Sequence, residues 1–140
     1  MARAATCAFV LALAAPAAQA QGLPDPLTDL PGDASRGRAI VLDQPRSLCV
    51  LCHAGPFPEI AFQGNIGPDL SGVGDRLTLP ELRLRLVDSR RVNPDTIMPP
   101  FHSVEGLVRV GTQWKDTTIL TAQEVEDVAA FLASLKGPSE

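Results

Sequence analysis

SLCVLCHAGP, residues 47–56, places Cys49 and Cys52 three positions apart, with His53 directly after the second cysteine. Three kinds of site share this pattern: a dithiol redox pair, half of a zinc site, or an attachment point for a covalently bound haem. Few other residues of the chain carry reactive side chains. The interpretation of this segment therefore decides both the fold and the function.

The beginning of the chain is typical of a signal peptide. Arg3 supplies a positive charge, and the apolar run that follows over residues 7–18 leads into Ala-Gln-Ala, the small residues that a signal peptidase needs. Pro16 interrupts this run, which is too short for a membrane span. We therefore predict a signal peptide over residues 1–20, export to the periplasm, and a mature chain that begins near Gln21.

The composition limits what the mature chain can be. The net charge of the full chain is −4, which argues against binding to nucleic acid or to an anionic membrane through bulk electrostatics. Aromatic residues make up only 4% of the chain, so its small core needs a disulfide, a metal or a bulky cofactor. Without Cys7, only Cys49 and Cys52 remain, and their disulfide would close a ring too small to add much stability.

The haem interpretation uses all three residues of the motif. A thioredoxin-like pair should follow a strand in a βαβ unit, and that pattern is absent. A structural zinc site needs four ligands, and His53 can hardly share one tetrahedral ion with the adjacent Cys52. In a c-type site, by contrast, Cys49 and Cys52 form thioether bonds with haem and His53 ligates its iron. Because bacteria attach this haem outside the cytoplasm, we predict one covalently bound haem c.

Hydrophobic periodicity predicts three helices and no convincing strand. The first starts at Ala34 with Asp33 as its N-cap and should end or bend at Pro45. Its buried positions should include Ala39, Ile40 and Leu42.

The second helix follows a capping box formed by Thr78 and Glu81, and the third helix follows a capping box formed by Thr121 and Glu124. For the third we expect buried Val125, Val128, Ala129 and Leu132, and a stop at Gly137-Pro138. In the second, Leu82, Leu86, Leu79 and Val87 should form the apolar stripe, with Arg83 and Arg85 on a solvated face.

Irregular segments separate these helices. Residues 21–33 are predicted to form an extended arm, and residues 54–76 and 89–120 to form long loops without helical or strand periodicity. Loops of this length are uncommon in a small domain unless they surround something. We therefore predict a mainly α-helical domain over residues 34–137, wrapped around a cofactor, with a short tail at 138–140.

The second axial ligand of the iron should lie far downstream, in a loop that reaches the opposite haem face. Met98 is the only methionine of the mature chain, and neighbouring prolines stiffen its loop. His102, four residues later, is the alternative, and would give a bis-histidine haem of lower potential. On the proximal side, the carbonyl of Pro68 is our candidate acceptor for the second ring N–H of His53, although Gly67-Pro68 can equally be a simple turn.

Together these features resemble the class I cytochromes c, in which Phe131 would pack against a small residue of the first helix, Gly37. The strings GNIGPDLSGVGDR, LRLRLVDSRRVNPDTIMPPFH, EGLVRV and ILTAQEVEDVAAFLASLK are similar to the SoxX family, over about residues 33–136. SoxX is the monohaem subunit of the SoxAX cytochrome of sulfur oxidation. One departure is Phe101, where the family more often has tyrosine.

The resemblance implies specific roles. Cys49 and Cys52 would hold the haem, and His53 and Met98 would ligate its iron. The chain would form a heterodimer with SoxA, which carries the chemistry that couples thiosulfate to a cysteine of the carrier SoxYZ. Its own haem would accept the electrons and pass them to a soluble cytochrome c, so no catalytic residue is expected in this chain. The alternatives are a stand-alone monohaem cytochrome c and a haem-free exported dithiol or metal-binding module.

Overall fold

The computed structural model describes residues 22–137, so the predicted signal peptide and the tail at 138–140 lie outside the described residues. Within this range the chain forms helices and no strands. The α-helices, in chain order, are α1 (Ala34–Leu42), α2 (Gln44–Ser47), α3 (Cys49–Cys52), α4 (Val73–Arg76), α5 (Leu79–Asp88) and α6 (Ala122–Ser134). Two 3₁₀ turns lie at Ser89–Arg91 and Thr112–Trp114.

Helix α1 begins where the sequence predicts it. The carboxylate of Asp33 accepts hydrogen bonds from the backbone N–H groups of Ser35 and Arg36, which stabilises the first turn. The buried residues are Gly37, Ile40 and Val41, and Leu42 is half-buried. The prediction that Ala39 is buried was wrong, because the face that contacts the core is rotated slightly from the predicted one.

Helices α5 and α6 both start with the predicted capping boxes. Thr78 pairs with Glu81 at the start of α5, and Thr121 pairs with Glu124 at the start of α6. Helix α6 presents its apolar stripe to the core as predicted, and Val125, Val128 and Ala129 are fully buried. The helix ends at Ser134, just before Gly137. In α5, Leu82 and Leu86 are buried as predicted, whereas Leu79 is 38% exposed because it lies in the first turn.

Helices α1 and α6 cross at close range. A side chain at Gly37 would have its Cβ 2.9 Å from the Cβ of Phe131 and would collide with the backbone carbonyl of Asp127. Glycine is therefore required for the two backbones to approach this closely. The predicted contact between Gly37 and Phe131 is confirmed, and the ring of Phe131 also packs against Phe57, with centroids 6.3 Å apart.

A buried ion pair joins α5 to α6. Arg83 donates from Nε to Oε1 of Glu126 at 2.7 Å and from Nη2 to Oε2 at 2.9 Å. Both side chains are only 4% exposed. The prediction that Arg83 lies on a solvated face was therefore wrong, because its partner on α6 lets the charged group be buried against the core.

The segment before α1 packs along α5 and α6. Leu23 donates its backbone N–H to the carbonyl of Pro80, and its own carbonyl accepts from Arg83. Leu27 donates its N–H to Oε1 of Glu126 at 2.9 Å. The buried ion pair thus also holds this extended segment in place.

The long loops are mostly irregular, as predicted, and the exceptions are the short helix α4 and the two 3₁₀ turns. Gly72 precedes it with a φ of +64°, a left-handed conformation that favours glycine. The buried Val73 and Phe57 anchor this part of the chain to the core. Within residues 22–137, no helix combines the length and the apolar character needed to cross a bilayer.

Candidate functional site

The motif at residues 49–53 occupies one turn of helix and its exit. Leu48, with a φ of +60°, turns the chain between α2 and α3. Cys49 and Cys52 then lie one helical turn apart, on the same face. His53 follows in extended conformation, and its N–H bonds to the carbonyl of Cys49 at 2.9 Å. The buried Val50 anchors the turn to the core, so the three side chains project from a fixed point.

A cavity of about 510 Å³ opens beside this turn. Among the predicted site residues, Cys49, His53, Pro68 and Met98 line it, whereas Cys52 and His102 do not. Its other lining residues come mainly from α4, α5, α6 and the loop before Met98: Val41, Asp69, Leu70, Val73, Arg76, Leu77, Leu82, Arg85, Leu86, Ser89, Val92, Asn93, Thr96, Val128 and Leu132. The structure thus brings a thiol, an imidazole and a thioether from distant parts of the sequence to one largely apolar cavity.

The imidazole of His53 is held by the loop that follows it. Its Nδ1 lies 2.7 Å from the carbonyl oxygen of Pro68, which accepts the ring N–H. This contact leaves Nε2 as the ring nitrogen free to act as a ligand. Gly67, whose N–H bonds to the carbonyl of Cys52 at 2.8 Å, lies directly against the ring. A Cβ at Gly67 would stand 2.6 Å from Nδ1, so no side chain fits at this position while the ring keeps its place.

The close contact predicts the effect of Gly67→Ala. The added methyl group would push the His53 ring away from the Pro68 carbonyl, and we expect a large loss of covalently haem-loaded protein. The haem content per mole of purified protein measures this. Gly111→Ala is the matched control, since a Cβ there meets only the side chain of Gln113, at 3.3 Å or more. A Gly67→Ala protein with the haem content of the wild type would contradict the prediction.

Met98 is positioned through both of its backbone polar groups. Its carbonyl oxygen accepts from the hydroxyl of the buried Ser89 at 2.9 Å, and its N–H donates to Oγ1 of Thr96 at 3.2 Å. Pro99 and Pro100 follow directly. No local sequence pattern marks Ser89, because its hydroxyl bonds to a backbone group in the following loop, whereas Thr96 lies in the same loop as Met98.

His102, the alternative ligand, is engaged elsewhere. Its Nδ1 lies 2.8 Å from the carbonyl oxygen of Leu120, and its backbone N–H donates to Val87. The N–H of Leu120 in turn donates to the carbonyl of Phe101 at 2.8 Å. These bonds close the base of the loop between residues 102 and 120. His102 therefore has a structural role at the base of this loop, and it does not line the cavity.

The thiol of Cys49 does not have the properties of a reactive, redox-active cysteine. Burial raises the pKa of the Cys49 thiol, and the nearby Cys52 adds to this effect, although a hydrogen bond with the side chain of Ser47 opposes it. Redox-active cysteines usually have a lowered pKa, since the thiolate is the nucleophile. Within residues 22–137, no group of three or more His, Cys, Asp or Glu side chains is placed to hold a metal ion.

The residues present fit a c-type haem. The apolar walls suit a flat apolar macrocycle, and the thiol, imidazole and thioether groups are those that attach and ligate it.

Arg85, predicted on a solvated face, lines this cavity instead and is half-buried. That prediction was wrong because α5 presents Arg85 to the cavity rather than wholly to solvent.

Comparison with known proteins identifies the family. No model of a known protein family matches the chain, and no curated protein matches it significantly. Among solved structures, the chain is similar to one described as the crystal structure of SoxXA from P. pantotrophus. The two share 36% sequence identity over 84% of this chain and 92% of that chain, with a TM-score of 0.78. The chain therefore belongs to the SoxX family of cytochromes and has the helical class I cytochrome c fold.

Proposed function

We propose that this chain is the periplasmic electron-transfer subunit of a SoxAX complex. It accepts the electrons released when thiosulfate is coupled oxidatively to the carrier cysteine of SoxYZ, and it passes them to a soluble cytochrome c. The observation that supports this most strongly is the cavity shared by Cys49, His53 and Met98. A haem with both axial positions filled by protein carries electrons rather than binding substrate.

Each residue has a distinct task in this proposal. Cys49 and Cys52 would hold the haem through thioether bonds, so that it could not dissociate, and the haem would supply the one-electron redox chemistry. His53 and Met98 would ligate its iron. Pro68 keeps the His53 ring oriented through its carbonyl. The apolar side chains around the cavity exclude water and thereby favour the less charged, reduced state.

The proposal includes the organisation of the whole chain. Residues 1–20 act as a signal peptide, which delivers the chain to the compartment where haem c is attached. Residues 34–137 form the cytochrome c domain, preceded by the extended segment that packs on α5 and α6. The similar protein was solved as SoxXA, and this supports SoxA as the partner of the present chain.

The cofactor is tested by purifying the chain after expression with a haem c maturation system. We expect one covalent c-type haem per chain in a pyridine haemochrome spectrum, retained after denaturation. Cys49→Ala combined with Cys52→Ala should remove the covalent band. A wild-type protein without this band would refute the cofactor assignment and would favour a haem-free dithiol or metal-binding module.

The partner is tested by affinity purification from the native host under mild conditions. We expect a second c-type cytochrome in a one-to-one complex with the tagged chain. Recovery of a haem-loaded monomer alone would contradict the SoxA assignment and would support a stand-alone monohaem cytochrome c. The cofactor assignment would remain intact in that case.

A further inference from the structure

The cavity contains two guanidinium groups among otherwise largely apolar walls. Arg76, in α4, and Arg85, in α5, both line it. Asp69 is the one carboxylate among the lining residues, and its Oδ1 accepts from the N–H of Ser71 at 2.6 Å. The cavity therefore carries more positive than negative charge from the protein.

Arg76 is already bound to its own loop. Its Nη1 donates to the carbonyl of Ser71 and its Nη2 to the carbonyl of Asp69, both at 2.6 Å. The side chain is exposed, so its charge also remains hydrated. These contacts account for Arg76 as a residue that stabilises the turn before α4.

Arg85 differs from Arg76 in its hydrogen bonds and in its exposure, since it is half-buried. Its Nη1 donates to the carbonyl of Glu81, one turn earlier in α5, at 3.0 Å. Among residues 22–137 its other guanidinium N–H groups have no hydrogen-bond acceptor. The Glu81 carboxylate accepts no hydrogen bond from Arg85; its Oε2 accepts instead from the N–H of Thr78 at 2.8 Å and from the Thr78 hydroxyl at 2.7 Å.

A half-buried guanidinium with unused donors at the wall of an apolar cavity is well placed to bind an anionic group that enters the cavity. Arginine binds carboxylates in a planar, two-pronged geometry that lysine does not reproduce. A haem carries two propionate carboxylates, which remain charged and need such a partner wherever the protein covers them. We propose that Arg85 binds a haem propionate and thereby positions the haem and raises its reduction potential; this inference rests on the proposed function.

The effect on the potential follows from charge. The oxidised iron carries one more positive charge than the reduced iron, so a nearby guanidinium disfavours oxidation. Removing the charge of Arg85 should therefore favour the oxidised state. We expect the ratio of oxidised to reduced protein at a fixed ambient potential to rise by roughly three- to tenfold.

The test compares Arg85→Gln with Arg91→Gln in holoprotein. Both changes remove one positive charge, but Arg91 lies exposed on the 3₁₀ turn after α5 and does not line the cavity. Resonance Raman spectroscopy reports the propionate bending vibration, which depends on the hydrogen bonds to the carboxylate. A redox titration gives the potential. We expect Arg85→Gln to shift the propionate band and lower the potential, and Arg91→Gln to change neither appreciably.

Arg85→Lys separates charge from geometry and replaces Arg85→Gln if that variant does not yield holoprotein. This variant should have a reduction potential close to that of the wild type, because the positive charge remains. It should still shift the propionate band, because the planar donor pair is lost. A haem-loaded Arg85→Gln or Arg85→Lys protein with the wild-type propionate band would overturn the assignment of Arg85 and leave the proposed function standing. A wild-type protein without haem would overturn the proposed function, and the assignment with it.

Discussion

Replacement of Met98 by alanine is expected to abolish the far-red sulfur-to-iron charge-transfer band of the oxidised protein completely. The thioether of Met98 lines the cavity that also contains His53, and alanine cannot supply a ligand. The reduction potential should also fall, because a thioether ligand stabilises the reduced iron more than water or a second imidazole does. Absorption spectra of the oxidised protein and a redox titration measure the two effects.

Ile97→Ala provides the matched control in the same loop. Ile97 is 77% exposed and does not line the cavity, so its truncation should leave the band unchanged. His102→Ala should also retain the band, because His102 is bonded to Leu120 instead. A wild-type protein that lacks the band, or a Met98→Ala protein that retains it, would refute the ligand assignment and bring His102 forward.

Arg83→Met is expected to reduce the free energy of unfolding by about 3–5 kcal/mol, the usual cost of leaving one member of a buried ion pair without its partner. The substitution removes both bonds to Glu126 and the bond to the carbonyl of Leu23. Methionine fills much of the same volume, so the loss arises mainly from the uncompensated charge. Chemical denaturation followed by circular dichroism measures the change, with the haem band as a second probe.

Arg38→Met is the control for a lost arginine charge. Arg38 forms an ion pair with Glu59, but the two side chains are 44% and 40% exposed. Because water solvates exposed charges almost as well, we expect a much smaller change in stability than for Arg83→Met. Equal losses in the two variants would show that the buried pair has no special contribution.

The same ion pair predicts how stability depends on pH. Burial tends to raise the pKa of Glu126, but the hydrogen bonds from Arg83 and Leu27 outweigh it and hold the pKa below its usual value. A carboxyl group with a lowered pKa stabilises the folded protein above its unfolded-state pKa of about 4.3, and this contribution is lost as the pH falls further. We expect acid titration to destabilise the wild type more steeply below this pH than Glu126→Gln. Parallel curves would contradict the prediction.

Much of the fold could be predicted because its signals are local. The capping boxes of α5 and α6 and the apolar stripe of α6 depend on residues within one or two turns, and all three are present. The choice of Gly37 as the crossing point with Phe131 came from the family resemblance, and the close approach of the backbones gives its physical reason.

The charged residues of α5 could not be assigned in the same way. The pattern of α5 gives Arg83 and Arg85 a polar face, yet the partner of Arg83 is Glu126, 43 positions away. Whether an arginine is solvated or buried depends on the segment that packs over it. A periodic pattern within one helix contains no information about that segment.

For the candidate site, the order of residues establishes which chemical groups are present. A cysteine pair one helical turn apart, an adjacent histidine and a single downstream methionine in a proline-rich loop follow from the order of residues alone. The fold establishes which of these groups share one cavity. It also places Gly67 and the Pro68 carbonyl against the His53 ring, and the Ser89 hydroxyl on the carbonyl of Met98. The physical reason is that a ligand's chemistry belongs to its own side chain, whereas its position depends on packing and hydrogen bonds between segments far apart in the chain.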